Sequence, residues 1–120
     1  MSVHGPTDFS VVSVPAVSTQ ATVTKAAQAG MGHVCTGIYA ALMAVAAQTI
    51  IALNLRDGVS GAGTILWSKQ YVVPINGILD INISDLSIKG TIGNAMTLEW
   101  SAAPVANNFE SVTLTGYDSA

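Results

Sequence analysis

The chain has 120 residues, half of them hydrophobic and only 9% charged, with four Lys+Arg against seven Asp+Glu for a net charge of −3. This is the length of one domain, with far fewer charges than the roughly 25% of an ordinary soluble domain. The four basic residues are scattered, so no phosphate-neutralising stripe and no nucleic-acid partner is expected, and the single Cys35 excludes an internal disulfide.

The opening stretch MSVHGPTDFS has no basic segment followed by an apolar one, so no secretory signal is expected. Residues 1–20 hold Pro6, Pro15 and a short apolar patch from Phe9 to Val14. Two prolines beside short apolar runs favour extended chain over helix. The segment reads as an extended N-terminal arm, with Phe9, Val11, Val12 and Val14 as candidate interface residues on a neighbouring subunit. Residues 21–120 read as a single domain behind it. Large apolar surface with little charge to cover it points to assembly.

From Thr22 the pattern is one of short β segments: TVTKAA, then HVCTGIYAALMAV, then TIIALNLRD. Gly37 to Leu53 is apolar enough to suggest a membrane span or a soluble helix. It falls short of the roughly 20 residues a bilayer needs, and Gln48–Thr49 interrupts it. No Lys or Arg lies between Lys25 and Arg56 to anchor it, so no membrane is expected as partner. Ala, Leu and Met favour helix, but Gly37 breaks the start, Ile50–Ile51 closes the run and no capping residue opens it. Two strands turning near Ala46–Gln48 fit better, with one helix as the alternative.

The second half alternates at period two, the mark of a strand with one buried face. In TILWSKQYVV, residues Ile65, Trp67, Lys69, Tyr71 and Val73 share a face. In NGILDINIS, Leu79, Ile81 and Ile83 oppose Asp80, Asn82 and Ser84. In AMTLEWSA, Met96, Leu98 and Trp100 oppose Thr97, Glu99 and Ser101, and in SVTLTGYD, Val112 and Leu114 oppose Thr113 and Thr115. Punctuation by RDGVSGAG, PING, IGNA and VANN gives about seven or eight strands, hence an all-β antiparallel sandwich of jelly-roll or Greek-key type.

RDGVSGAG also invites comparison with phosphate-binding loops. A dinucleotide loop would need a glycine at Leu66, and a P-loop would need Gly-Lys-Ser/Thr after Gly63. An alternating strand follows instead of a helix, so no helix N-terminus is available for a phosphate. Gly58, Gly61 and Gly63 are expected to supply the positive φ values of a hairpin connection.

Other chemistry is thin. His33 and Cys35 share a strand face, yet a zinc site needs three or four ligands, and a thiol–His pair needs a third group to orient the imidazole. DINISD begins like a calcium loop but has Asp85 where glycine and Thr91 where glutamate belong. Glu99 and Glu110 could be paired as in a glycosidase, and Trp67, Tyr71 and Trp100 could form a sugar-stacking platform, though aromatics alternating with aliphatics are more often core. No catalytic, cofactor-binding or metal-binding residue is assigned, and no enzyme is expected.

Three stretches carry a resemblance: ATVTKAAQAGMGHVCTGI (21–38), NLRDGVSGAGTILW (54–67) and AMTLEWSAAPVANNFESVTLTGYD (95–118). Together they resemble small proteins encoded among the virion structural genes of tailed bacteriophages and prophages, the closing ESVTLTGYD being the most distinctive element. The resemblance implies a virion component of sandwich or jelly-roll type, made in the host cytoplasm. It implies a homo-oligomer, a trimer for preference, with the major capsid protein or other virion proteins as partners and no cofactor. A capsid decoration (cement) protein fits this best. A neck or tail component, or a carbohydrate-binding sandwich module, is the alternative.

Overall fold

The computed structural model describes residues 8–47, 50–73 and 75–120. It is all-β, with no helix among the described residues. Among the described residues nine strands run in chain order: β1 (Asp8–Ser13), β2 (Thr22–Lys25), β3 (Gly32–Ala44), β4 (Ile51–Asp57), β5 (Thr64–Tyr71), β6 (Gly77–Ile83), β7 (Ile88–Lys89), β8 (Met96–Trp100) and β9 (Phe109–Ser119). The first sheet has the order β1-β9-β3-β6, with β7 also paired to β3, and the second the order β2-β8-β4-β5.

The pairing has a simple logic. β1 pairs β9, β2 pairs β8, β3 pairs β6 and β4 pairs β5, all antiparallel. The chain is one long hairpin ribbon whose apex is the β4–β5 connection, rolled so that successive strand pairs fall in opposite sheets. This is the jelly-roll form of sandwich, with β7 as a two-residue addition. The apolar 37–53 region is thus divided between β3 and β4, and no helix of the described residues is long and apolar enough to cross a membrane. The predicted turn begins at Ala46; its Gln48 lies outside the described residues.

The core lies between the sheets. Ile38, Leu42, Leu53, Leu55, Met96, Leu98, Trp100 and Leu114 are fully buried. Met96, Leu98, Trp100 and Leu114 come from the inward sets that alternation predicts for β8 and β9. The alternation fails where the ladder is irregular. A bulge between Leu55 and Arg56 pairs them with Trp67 and Ile65, which leaves Leu66 as the extra residue. Ile65 consequently turns outward, 46% exposed, while Leu66 and Trp67 both pack on the core. The expectation that Ile65 and Trp67 share a face is thereby corrected, since one inserted residue reverses the phase of a strand.

A second correction concerns β8. Thr97 and Glu99, expected on a wet face, are 0% and 3% exposed. The β4–β5 connection folds over that face and excludes water from it.

Candidate functional site

The glycine segment is a turn, and it does hold an anion, the chain's own Glu99. The Glu99 carboxylate accepts hydrogen bonds from Ser60 Oγ, from Gly61 N–H (3.1 Å), from Arg56 Nε (2.8 Å) and from Thr22 Oγ1 (3.1 Å). Arg56 reaches on to donate to the Gly63 carbonyl at 2.9 Å. Burial by itself would raise the Glu99 carboxyl, but these donors outweigh it and hold the group below the usual carboxylate value. Gly58 and Gly61 adopt φ of 147° and 73° as expected; Gly63 does not, and lacks a side chain for another reason. A Cβ there would lie 2.6 Å from the Asp57 carbonyl oxygen. A cradle already filled by an internal carboxylate offers nothing to a phosphate. Glu99→Ala should cost about 2 kcal/mol in a urea melt and open the 58–63 loop to proteolysis, because several donors to a charged acceptor are lost together. A loss under about 0.5 kcal/mol, within the range of an ordinary surface change, would refute the latch.

His33 is likewise spent on the fold. Its Nδ1 lies 2.5 Å from Asp118 Oδ1 and its Nε2 lies 2.8 Å from the Ala26 carbonyl oxygen, so both ring nitrogens are engaged. Asp118 is the orienting group that sequence reading could not find, because β9 brings it beside β3 from 85 residues away. Neither nitrogen is left for Cys35, whose thiol contacts the Gly37 carbonyl at 3.6 Å. Burial pushes that thiol up to about 11 against the weaker effect of the Gly37 contact. A thiolate is the reactive form, so the native protein should not react with a disulfide reagent at neutral pH, and should react once unfolded. Fast labelling of the native chain would contradict this assignment.

The other candidates disperse. Glu110 points into the sandwich from β9, 2% exposed, while Glu99 lies on the far side of the second sheet, so the two do not share a cleft. Trp100 is fully buried and donates through Nε1 to the Ser111 carbonyl at 3.2 Å, and Tyr71 packs edge-on against it at 6.1 Å. The sugar platform imagined from Trp67, Tyr71 and Trp100 is therefore not assembled. Asp80 and Asn82 sit on the exposed face of β6, and no group of three or more His, Cys, Asp or Glu gathers among the described residues.

Of the four residues expected on the arm's interface, all lie on or next to β1, the edge of the first sheet. Phe9 and Val11 face the chain's own core, Phe9 lying edge-on to His33 at 5.6 Å with Lys25 Nζ 5.4 Å above its ring. Val12 and Val14 face outward, 60% and 75% exposed.

What remains available is a surface. Most outward polar residues of the second sheet are tied to one another, Ser68 to Asn54 at 2.6 Å, Thr24 to Thr97 at 2.8 Å and Arg56 to Glu99. The outward face of the first sheet differs. Met43 stands in register with both Phe109 and Ile78 across three strands. These three are 45%, 44% and 59% exposed. Beside them run Ala41, Ser111, Tyr39 and Thr113, and the charged members of the face are Asp8 and Asp80, on its two opposite edge strands, and Lys89 on β7, in register with Val34.

No family model matches the chain, and no curated protein does. Among solved structures it is similar to the coat protein of Tobacco streak virus, with a TM-score of 0.41 and 8% identity over 97% of this chain and 90% of that one. It is also similar to a chain of the Nora virus structure, with a TM-score of 0.33 and 12% identity over 92% of this chain. The chain spans 55% of the length of that second structure.

Proposed function

We propose that the chain is a non-enzymatic virion structural protein that binds and stabilises a phage capsid, as a decoration or cement subunit. The observation that carries this reading is the contrast between its two faces. On the second sheet Thr22, Thr24, Asn54, Arg56, Ser68, Thr97 and Glu99, and on the first His33 and Asp118, are engaged with the chain itself. The first sheet presents a face whose centre, around Met43, Phe109 and Ile78, is apolar and uncharged, for which an isolated domain has no use. Interface cores are depleted of charge and enriched in Met, Phe and Tyr, and Met43, Phe109 and Tyr39 stand on this face. The resemblance of segments 21–38, 54–67 and 95–118 to phage virion proteins supports the virion setting. On this reading the major capsid protein is the partner, the subunit is a homo-oligomer, and repeated apolar burial at subunit junctions strengthens the shell with no cofactor.

The test is the copy number of this chain in purified particles, measured by quantitative mass spectrometry against the major capsid protein. A number comparable with the capsomers supports a shell component. A few copies per particle would move the protein to the neck or tail, and none would remove the virion reading. Deleting the first nineteen residues is a poor test of an arm, since it removes the whole of β1 and bares the seat of Phe9.

A further inference from the structure

We infer that the outer face of the first sheet, around Met43, Phe109 and Ile78, is the surface through which this chain binds a second copy of itself. The inference rests on reading that face as an interaction surface, and not on the virion assignment. Six apolar side chains form the patch: Val12, Val14, Met43, Val45, Ile78 and Phe109, each between 44% and 75% exposed. Together they expose on the order of 500 Å², at the upper end of what a monomer leaves to water.

Three features favour a second copy as the occupant. The first is charge. Asp8 and Asp80 are confined to the opposite edges of the sheet and Lys89 lies on β7 opposite Val34, nine residues along β3 from Met43, so a strongly acidic or basic partner finds no counter-charge at the centre of the face. Another copy brings the same uncharged centre. The second is shape. Met43 projects between two shallow hollows of about 450 and 370 Å³, one against Val14 and Phe109 and the other against Val45 and Ile78. The face thus carries both the apolar knob and the recesses that would receive one, as a self-complementary patch requires. The third is area. The molecule is a slab of 44 × 33 × 22 Å whose short dimension is that of two stacked sheets, so a sheet face is its broad side. That side provides the roughly 800 Å² which a standard interface takes from each partner.

The experiment is light scattering coupled to size-exclusion chromatography over a dilution series. It compares the wild type with Met43→Glu and Ile78→Lys, and with Gln70→Glu on the exposed edge of the second sheet as a control. The expected result is a wild-type mass that is a multiple of the chain mass, with the same mass for the control. Both face variants should shift to monomer, their dissociation constant rising at least tenfold, about 1.4 kcal/mol. Thermal melting verifies that each variant is folded; Met43 and Ile78 are half exposed, so charge there leaves the core alone. A wild type that is monomeric throughout, or folded face variants that keep the wild-type mass, would overturn the proposal. A monomeric wild type that sediments with empty capsids, and loses that binding in Met43→Glu, would also overturn it by making capsid protein the occupant, while leaving the cement reading intact. Absence of the chain from particles would remove the virion role and leave the mass measurement standing.

Discussion

Gly116→Ala should be the most damaging single methyl group in this protein. Gly116 lies in β9 between Cys35 of β3 and Phe9 of β1, at the centre of the first sheet. A Cβ built there falls 2.0 Å from the Val34 carbonyl oxygen and 2.8 Å from Phe9 Cζ. The phenyl ring can rotate away, but the carbonyl belongs to the central ladder and moves only if β3 and β9 separate. Overpacking ordinarily costs 1–3 kcal/mol, and here the clash is with backbone, so a loss of about 3 kcal/mol or more is expected. Gly32→Ala in the adjoining strand is the control, since its Cβ would meet nothing closer than the Gly90 carbonyl oxygen at 3.4 Å. Urea denaturation of both variants decides the matter. If the two differ by less than about 1 kcal/mol, the close approach at Gly116 is not a constraint on the sheet.

The second large effect is a stability that falls as pH rises. Glu110 points inward from β9, and its Oε1 accepts a hydrogen bond from Ala21 N–H at 2.9 Å. Its Oε2 is buried with no hydrogen-bond partner among the described residues. Burial raises the carboxyl from about 4.5 to about 7, against the lowering effect of the Ala21 bond. In that window the native chain holds a proton that the unfolded chain has released. Stability from this group is therefore complete below pH 4.5, declines as pH climbs toward 7, and levels off above it. The loss is on the order of 3 kcal/mol, or roughly 10 °C in melting temperature for a domain of this size. Glu110→Gln keeps the shape without the titration. The difference in melting temperature between wild type and variant should change across pH 4.5–7 and be constant outside it, which isolates Glu110 from Glu99 and Asp57. Both of those are held below their usual values: burial opposes this, but hydrogen bonds from Ser60, Arg56, Gly61 and Thr22 for Glu99, and from Thr91 and Asn94 for Asp57, outweigh it. They lose their stabilising effect only in more acid solution. A difference that does not vary with pH would mean that Glu110 is hydrated in the native state.

These two predictions also mark where reading the chain stops. Alternation identified the inward set of β6, β8 and β9, because a strand with one dry face must place its apolar residues at every second position. Pro6 and Pro15 put Phe9 to Val14 in extended chain, and Gly37, the β-branched Ile50–Ile51 pair and the missing cap divided the 37–53 region into two strands. It missed β7, since Ile88–Lys89 is too short to show a period. It also missed the extra residue at Leu66, because a bulge depends on the partner strand and leaves no mark in its own.

Polar residues were the harder class. Thr97 and Glu99 alternate with apolar neighbours as solvent-facing residues do, and Glu110 and Asp118 fall in phase with the inward Val112 and Leu114 although they carry carboxyl groups, yet all four are buried. Whether such a residue meets water is decided by what folds across it, here the 58–63 loop over Glu99, Ala21 against Glu110 and His33 against Asp118. Local sequence thus determined strand identity, the sandwich class and the turn at RDGVSGAG, because periodicity and glycine act over a few residues. Pairing β1 with β9 across more than a hundred residues, filling the glycine cradle from within, and leaving the Met43 face uncovered depend on contacts between segments far apart in the chain, and only the tertiary structure decided them.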